Sequence, residues 1–223
     1  MNDLGKAFSF PFKDPAWFSK SVIGVLFMFL CIFVVGFFIL AGYFVQVTQR
    51  VMRRDPNPLP EWNDIGVKFI VGFKMIVVYF VYLLPVFLLY IPFAVLTVVG
   101  AVSGNDELSG LFAGIYMIGL VFIVIIPYSL FFAMLIPIIA YRFAANESIR
   151  EALDIAEIFR IFKKNWQNTV IVALVQVGVQ SFAGIGIIIF FIGIFFTILY
   201  AYLVSAYLHG ALYLEHTAEG GAV

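Results

Sequence analysis

The chain of 223 residues is 64% hydrophobic and only 12% charged, with a mean hydropathy of +1.08. A soluble globular domain is about half apolar and about a quarter charged, so this composition argues against a protein folded in water. Acidic and basic side chains balance at 13 each, which argues against the basic surface of a nucleic-acid-binding protein. We therefore expect an all-α integral membrane protein, a bundle of about five transmembrane helices with interfacial amphipathic segments.

Residues 1-14 contain aromatic side chains that alternate with small or polar ones, and we expect this segment to lie along the membrane interface. Asp14 is suited to cap a helix, and Pro15 is suited to its first position. The apolar run that follows predicts one tilted transmembrane helix near residues 15-47.

The first apolar run has a second interpretation. A single span separates Lys6, Lys13 and Lys20 from every other basic residue, whereas a re-entrant hairpin formed by residues 21-46 would place them on the same side. We favour the single span because the run contains no proline. Bent backbone exposed to lipid would also leave amide groups unpaired, at several kcal/mol each.

Three more apolar blocks follow. Two of them predict spans near residues 75-102 and 111-141, and the last block, about twice the length of one span, predicts a helical hairpin. Its two spans lie near residues 169-186 and 187-214, with the bend at Gly184-Ile185-Gly186, since paired glycines loosen a helix. Prolines kink the second and third spans at Pro85, Pro92, Pro127 and Pro137.

Two polar linkers, residues 48-74 and 142-168, carry most of the basic side chains. By the positive-inside rule both linkers are cytoplasmic, and the chain is one multi-pass domain, residues 1-223, of the cell (cytoplasmic) membrane. The second linker is typical of an amphipathic helix that lies flat on the membrane, with Ser148 and Glu151 as a capping box.

Two groups of residues resemble a known family. One is Pro11-Phe12-Lys13-Asp14 with Trp17; the other is Gly42-Tyr43, Arg50, Arg53-Arg54, Leu59-Pro60-Glu61-Trp62-Asn63-Asp64 and Gly72-Phe73-Lys74. In this order they resemble domain-of-unknown-function family four-zero-one-three, multi-span membrane proteins of bacteria and archaea. Beyond Lys74 the resemblance rests on hydropathy and on His209-Gly210 with Tyr213. It implies a membrane location and no particular activity or substrate.

Three polar side chains of the fourth span, Gln176, Gln180 and Ser181, need partners in lipid. Hydrogen bonding between helices, at about 0.6 kcal/mol each, is the simpler interpretation. The alternative is a polar intramembrane patch that binds a lipid headgroup, a quinone or a neutral solute. We expect His209 to reach the interface near the end of the last span, and His216 to be exposed.

The basic linkers predict contacts with lipid headgroups, since each cation near an anionic surface contributes about 1 kcal/mol. Glu61 and Trp62 either anchor the first linker to the interface or offer a docking point for a partner. The candidate headgroup contacts are Arg50, Arg53, Arg54, Arg160, Lys163 and Lys164.

The kinked second and third spans have two interpretations. Bent helices pack into irregular bundles, which is the simpler one. The alternative is a hinge or a cavity between the two helices. The tyrosines that would line it are Tyr79, Tyr82, Tyr90, Tyr116 and Tyr128.

The sequence contains no catalytic pattern, phosphate loop or metal-ligand spacing, so we expect no enzyme, no catalytic residue, no metal and no cofactor. We expect a non-catalytic accessory or structural subunit. Its partners would be membrane lipids and other membrane-protein subunits or a second copy of itself, and not nucleic acid. The alternatives are a small transporter or channel for a neutral solute, and a quinone- or pigment-binding membrane protein.

Overall fold

A computed structural model of the chain describes residues 4–103, 106–183 and 190–218, and no strand occurs in these ranges. The expected all-α membrane fold is confirmed. Four helical stretches of the described chain are long and apolar enough to cross a membrane, and a bent pair of helices raises the number to five. The four are Val35–Met52, Ile65–Gly100, Gly110–Asn146 and Gly193–Ala218, and the bent pair joins Leu4–Lys13 to Trp17–Phe33 at 94°.

The α-helices of the described ranges are α1 (Leu4–Ser9), α2 (Trp17–Phe29), α3 (Val35–Met52), α4 (Ile65–Ser103), α5 (Asp106–Gly119), α6 (Ile126–Asn146), α7 (Ile149–Ala152), α8 (Ile155–Lys164), α9 (Trp166–Ala183) and α10 (Phe190–Ala218). A π-helical turn, Leu120–Ile125, joins α5 to α6. The single domain expected from the sequence is divided, in its internal contacts, into two compact units. The main unit comprises Met1–Val78 and Met134–Val223, and the second unit is Tyr79–Ala133.

The first apolar run forms two helices, α2 and α3, and our expectation of one tilted helix near residues 15-47 is wrong. The break is at Val34, whose φ of 66° is a left-handed conformation that is rare for a β-branched residue. Gly36 allows the chain to turn without a proline, because a Cβ atom there would overlap the Phe27 carbonyl oxygen and the Cys31 nitrogen.

Two hydrogen bonds show that α2 and α3 form an antiparallel hairpin. Lys20, near the start of α2, and Arg50, near the end of α3, both donate to the carbonyl oxygen of Leu59, at 2.9 and 3.1 Å. In one continuous helix these two residues would be about 45 Å apart, since each residue adds about 1.5 Å. The hairpin, the alternative interpretation of residues 21-46, is therefore the observed structure.

The last apolar block also forms an antiparallel pair, α9 and α10. Two side-chain hydrogen bonds join the helices: Thr197 donates to the Ala183 carbonyl at 2.7 Å, and Gln176 Oε1 lies 2.9 Å from His209 Nε2. A third joins Asn165, directly before α9, to α10, with Asn165 Nδ2 2.7 Å from His216 Nδ1. The bend that we predict at Gly184-Ile185-Gly186 lies outside the described residues.

Helices α3 and α4 touch through a pair of glycines. A Cβ atom on Gly42 would overlap the Lys68 carbonyl, and one on Gly72 would overlap the Phe38 carbonyl and approach the Gly42 nitrogen to 2.6 Å. Small residues at such crossings let two helix backbones approach closely, which is a common way to hold helices together in lipid. The glycines of the motif therefore have a packing role.

The second linker forms two short helices, α7 and α8, where we expect one. Each has its own N-cap: Ser148 accepts from the Glu151 amide at 3.4 Å, and Asp154 accepts from the Glu157 amide at 3.1 Å. The cap expected at Ser148 therefore exists, and a second cap at Asp154 restarts the helix after Leu153.

The hairpin can be tested by cysteine labelling, since Cys31 is the only cysteine of the sequence. In a Cys31→Ser background, we expect Lys13→Cys and Arg54→Cys to react with an impermeant maleimide from the same side of sealed vesicles. Both positions are exposed and lie at the two ends of the hairpin. Labelling of the two sites from opposite sides, with lysed vesicles as the reactivity control, would show a single span.

The glycine contact predicts that two alanine substitutions have different effects on the free energy of unfolding. Gly72→Ala should lower the free energy of unfolding by about 1–3 kcal/mol, because the methyl group has no space. Gly178→Ala, in the middle of α9 where a Cβ meets nothing within 4 Å, should be neutral or should stabilise by up to about 1 kcal/mol. Thermal unfolding of the purified protein in detergent measures both, and equal shifts would contradict the contact.

Candidate functional site

Several helix ends of the main unit meet in one region, which we call the polar end. It contains the start of α2, the end of α3 and the start of α4 with the linker between them. The end of α6 joins it, because Gln49 of α3 donates to the Ala144 carbonyl at 2.9 Å and to Glu147 at 3.0 Å. The polar end therefore contains charged side chains whose burial in lipid would be unfavourable.

Lys20 is the most highly connected cation of the polar end. Its side chain is 5% exposed, and its ammonium group lies 2.9 Å from Asp14 Oδ2, 2.7 Å from Glu61 Oε1 and 2.9 Å from the Leu59 carbonyl. Asp14 is itself buried and also accepts from the Ala16 amide at 2.9 Å. All three donors of Lys20 are thus used, which is the condition for burying an ion pair without a large penalty.

Trp62 is held between two aromatic rings. Its ring stacks on Tyr43, with centroids 4.0 Å apart and an angle of 4° between the planes, and on Phe27 at 4.8 Å and 24°. Its indole nitrogen donates to the Lys20 carbonyl at 2.8 Å. The ring therefore anchors the linker to the α2–α3 hairpin, and a docking role for Trp62 stays a prediction. Glu61 stays largely exposed while one of its oxygens binds Lys20.

The three arginines at the end of α3 have different surroundings. Arg50 donates from Nη1 to the carbonyls of Asn57 and Leu59, at 2.9 and 3.1 Å, so part of its guanidinium group holds the linker. Arg53 and Arg54 are exposed. Arg53 lines two adjacent cavities of about 350 and 320 Å³, and Arg54 lines neither.

The basic residues of the second linker are also unequal. Arg160 is bound to Glu157 at 2.6 Å, and this hydrogen bond raises the pKa of its guanidinium group. Lys163 and Lys164 are exposed at the end of α8 and remain candidates for headgroup contacts. Glu157 also lies 3.6 Å from Arg142, a buried arginine of α6 that our sequence analysis did not identify as a site residue.

The expected polar intramembrane patch does not form as one group. Gln176 is bound to His209, Ser181 donates to the Val177 carbonyl of its own helix at 2.9 Å, and Gln180 has no partner among the described residues. The expectations for the two histidines are wrong. His209 is buried between α9 and α10, and His216 is buried against Asn165.

Two tyrosines of the second unit bind carbonyls beside the prolines. Tyr116 donates to the Leu89 carbonyl at 2.6 Å, and Tyr128 donates to the Tyr82 carbonyl. Each acceptor lies three residues before a proline, Pro92 or Pro85, and directly follows the carbonyl that the proline leaves without its usual helical donor. The two hydroxyl groups are thus satisfied beside the two proline sites, as polar groups in lipid require.

Four buried charged residues of the main unit are Asp14, Lys20, Lys68 and Arg142. Lys68 follows Asp64 by four residues, a spacing that predicts an ion pair, but its ammonium group binds the Asn63 carbonyl instead. No local signal identifies Lys20, whose acceptor Leu59 is 39 residues away. Within the ranges that the structure describes, no group of three or more His, Cys, Asp or Glu residues is placed to hold a metal ion.

Comparison with known proteins gives one match. A family model described as a protein of unknown function (DUF4013) matches residues 25–198. No curated protein and no solved structure matches this chain. The matched range contains the motif from Gly42 to Lys74 and continues to α10, so the similarity extends well beyond Lys74. It does not include Pro11 to Trp17 or His209 to Tyr213.

The Lys20 cluster predicts a large loss of stability on substitution. Lys20→Met leaves the buried Asp14 carboxylate without its cation, and we expect a loss of about 3–5 kcal/mol in the free energy of unfolding. Lys13→Met, at an exposed position of the same segment, should change it by less than about 0.5 kcal/mol. Thermal unfolding in detergent compares them, and the double variant Asp14→Asn/Lys20→Met should lose less than the sum of the single variants.

Proposed function

We propose that this chain, which belongs to the DUF4013 family of proteins of unknown function, is a non-catalytic accessory or structural membrane protein that packs against partner membrane proteins or lipids. The hydrogen bonds of its polar side chains support this proposal. Several polar groups away from the polar end bind one another or their own backbone: Gln176 binds His209, and Ser181 donates to the Val177 carbonyl. These groups hold helices together and are not free to react.

The observation that carries the proposal is the surface of the second unit. Its large apolar side chains point outward: Val98 is 63% exposed, Phe122 66% and Ile123 76%. Four of its described hydroxyl groups are bound within the unit, those of Tyr116 and Tyr128 among them; Thr97 donates to the Ala94 carbonyl at 2.8 Å and Ser129 to the Ile126 carbonyl at 2.9 Å. A surface of this kind offers only packing, to lipid tails or to helices of another protein.

The orientation that we propose places the polar end in the cytoplasm. With the first apolar run folded as a hairpin, Lys13 and Lys20 lie at the same end as Arg50, Arg53 and Arg54. This arrangement agrees with the positive-inside rule, which a single first span would violate. Exposed cations there, Arg53 and Lys163 among them, would hold anionic headgroups of the cytoplasmic leaflet.

The alternative functions receive less support from the geometry. Gln176, the residue on which a path for a neutral solute would depend, is bound to His209. Tyr116 and Tyr128, which a quinone or pigment would need, are bound to backbone carbonyls. These contacts favour helix packing over transport or cofactor binding.

Photocrosslinking in native membranes tests the proposal. A photoreactive amino acid at Val98 or at Ile123 should give the same discrete protein adduct, from a partner subunit or from a second copy of the chain. Ile32, which is 80% exposed at the turn of the α2–α3 hairpin, is the control and should give lipid adducts. Lipid adducts at all three sites would contradict packing against a partner protein.

A further inference from the structure

A polar cavity of about 350 Å³ lies at the polar end of the main unit. Cavities that bind small ligands measure about 300–1,000 Å³, so this one has room for a small group. Four of its lining residues come from one face of α3, at the spacing i, i+3, i+4 and i+7 that places side chains on one side of a helix. They are Gln46, Gln49, Arg50 and Arg53.

The opposite wall comes from the linker and the start of α4. It contains Glu61, Asn63, Asp64 and Lys68. The backbones of α3 and α4 meet where Gly42 approaches Lys68, one helical turn before Gln46. The wall on α3 is therefore packed directly against the start of α4, which carries Lys68.

Positive charge in this cavity is not balanced by the protein. Arg50, Arg53 and Lys68 form no ion pair with any carboxylate of the described residues, and the contacts of Arg50 are carbonyl groups. Of the two carboxylates in the lining, Glu61 is bound to Lys20. The lining therefore carries three cations and two carboxylates, and one of these carboxylates also binds Lys20, so positive charge is in excess.

Lys68 gives the sharpest indication of a ligand. Its side chain is 2% exposed, yet its ammonium group donates to one described acceptor, the Asn63 carbonyl at 2.6 Å. A lysine ammonium carries three donors, so two remain without a protein acceptor in the part of the chain that the structure describes. A buried charge with unused donors is costly unless another group binds it.

We propose that this cavity binds one anionic group of the phosphate class, held by Arg50, Arg53 and Lys68. Guanidinium groups bind phosphate oxygens in a bidentate geometry, and a lysine adds a point charge. Gln46 and Gln49 supply further amide groups at the same face. The inference rests on the proposed function in one respect, which is that this function places the polar end at a membrane surface. At a membrane surface the bound anion would be a lipid headgroup. In water the bound anion would be free phosphate.

The primary variant is Arg53→Gln, because Arg53 is exposed and its substitution leaves the fold intact. Its matched control is Arg54→Gln, the neighbouring exposed arginine outside the cavity. The full chain is purified in a neutral detergent and titrated with phosphatidylglycerol, phosphatidylcholine or inorganic phosphate. Native mass spectrometry measures the bound lipid, and calorimetry measures the binding of phosphate.

We expect phosphatidylglycerol to bind more tightly than phosphatidylcholine. Arg53→Gln should weaken binding about tenfold, the effect of losing one charge-assisted hydrogen bond, and Arg54→Gln should weaken it less than about twofold. Binding of inorganic phosphate with the same dependence on Arg53 would support the site with a soluble anion as its source. Lys68→Met should reduce binding further, with circular dichroism as the check of its fold.

Two results would overturn the site. One is an equal effect of Arg53→Gln and Arg54→Gln, which would indicate diffuse attraction to a basic surface. The other is no binding of any anionic probe by the folded protein. The phosphate titration needs no membrane and no partner, so a failure there is distinguishable from a failure of the crosslinking experiment on the second unit.

Discussion

The carbonyl oxygen of Leu59 accepts hydrogen bonds from both Lys20 and Arg50, and the main unit is organised around this shared acceptor. The bonds join the beginning of α2 to the end of α3 and tie both to the linker. Burial of Lys20 and Asp14 is tolerable only while these acceptors are present, because a buried charge without partners costs several kcal/mol. Closure of the hairpin and burial of the ion pair therefore depend on each other.

The aromatic stack of Trp62 follows from the same closure. Once Leu59 is fixed, Trp62 lies within reach of Tyr43 on α3 and Phe27 on α2, and its ring fills the space between the two helices. Stacked rings contribute about 0.5–1.5 kcal/mol beyond the burial of their surface. The linker motif that carries the family resemblance is thus largely a device for holding the hairpin and α4 together.

Charge and apolar surface are separated along the chain. The main unit collects its ionic groups at one end, where a cavity retains positive charge that the protein does not balance. The second unit presents apolar side chains, and the hydroxyl groups of Tyr116 and Tyr128 are bound to its own backbone. The two proposals follow this separation, with anion binding assigned to the main unit and packing to the second unit.

Features that depend on composition or on near neighbours are predictable from this sequence. The helical membrane class follows from hydropathy, the Ser148 cap from its local pattern, and the pairing of Glu157 with Arg160 from their spacing on one helix. The hairpin is harder to predict from the sequence, because it depends on a backbone contact at Gly36 and on an acceptor 39 residues from Lys20.

Contacts between residues far apart in the sequence determine the surroundings of the histidines, of Gln176 and of Trp62. His216 is buried because Asn165, 51 residues away, binds it, and Gln176 finds His209 rather than Gln180 or Ser181. The role of Trp62 depends on two rings from different helices. Such contacts are tertiary, and hydrophobic periodicity within one segment contains no information about them.

The α2–α3 hairpin has a consequence for the biogenesis of the protein. Residues 21-46 contain no charged side chain, while Lys13 and Lys20 precede them and Arg50 follows. A nascent chain that enters the bilayer as this preformed loop moves only uncharged residues into the hydrocarbon. A single first span would instead require the transfer of the N-terminal lysines to the far side, at about 2.5–3.5 kcal/mol for each charge that passes the membrane centre. In the orientation that we propose, the folded loop lets the lysines that precede it remain on the side of the membrane that carries the polar end.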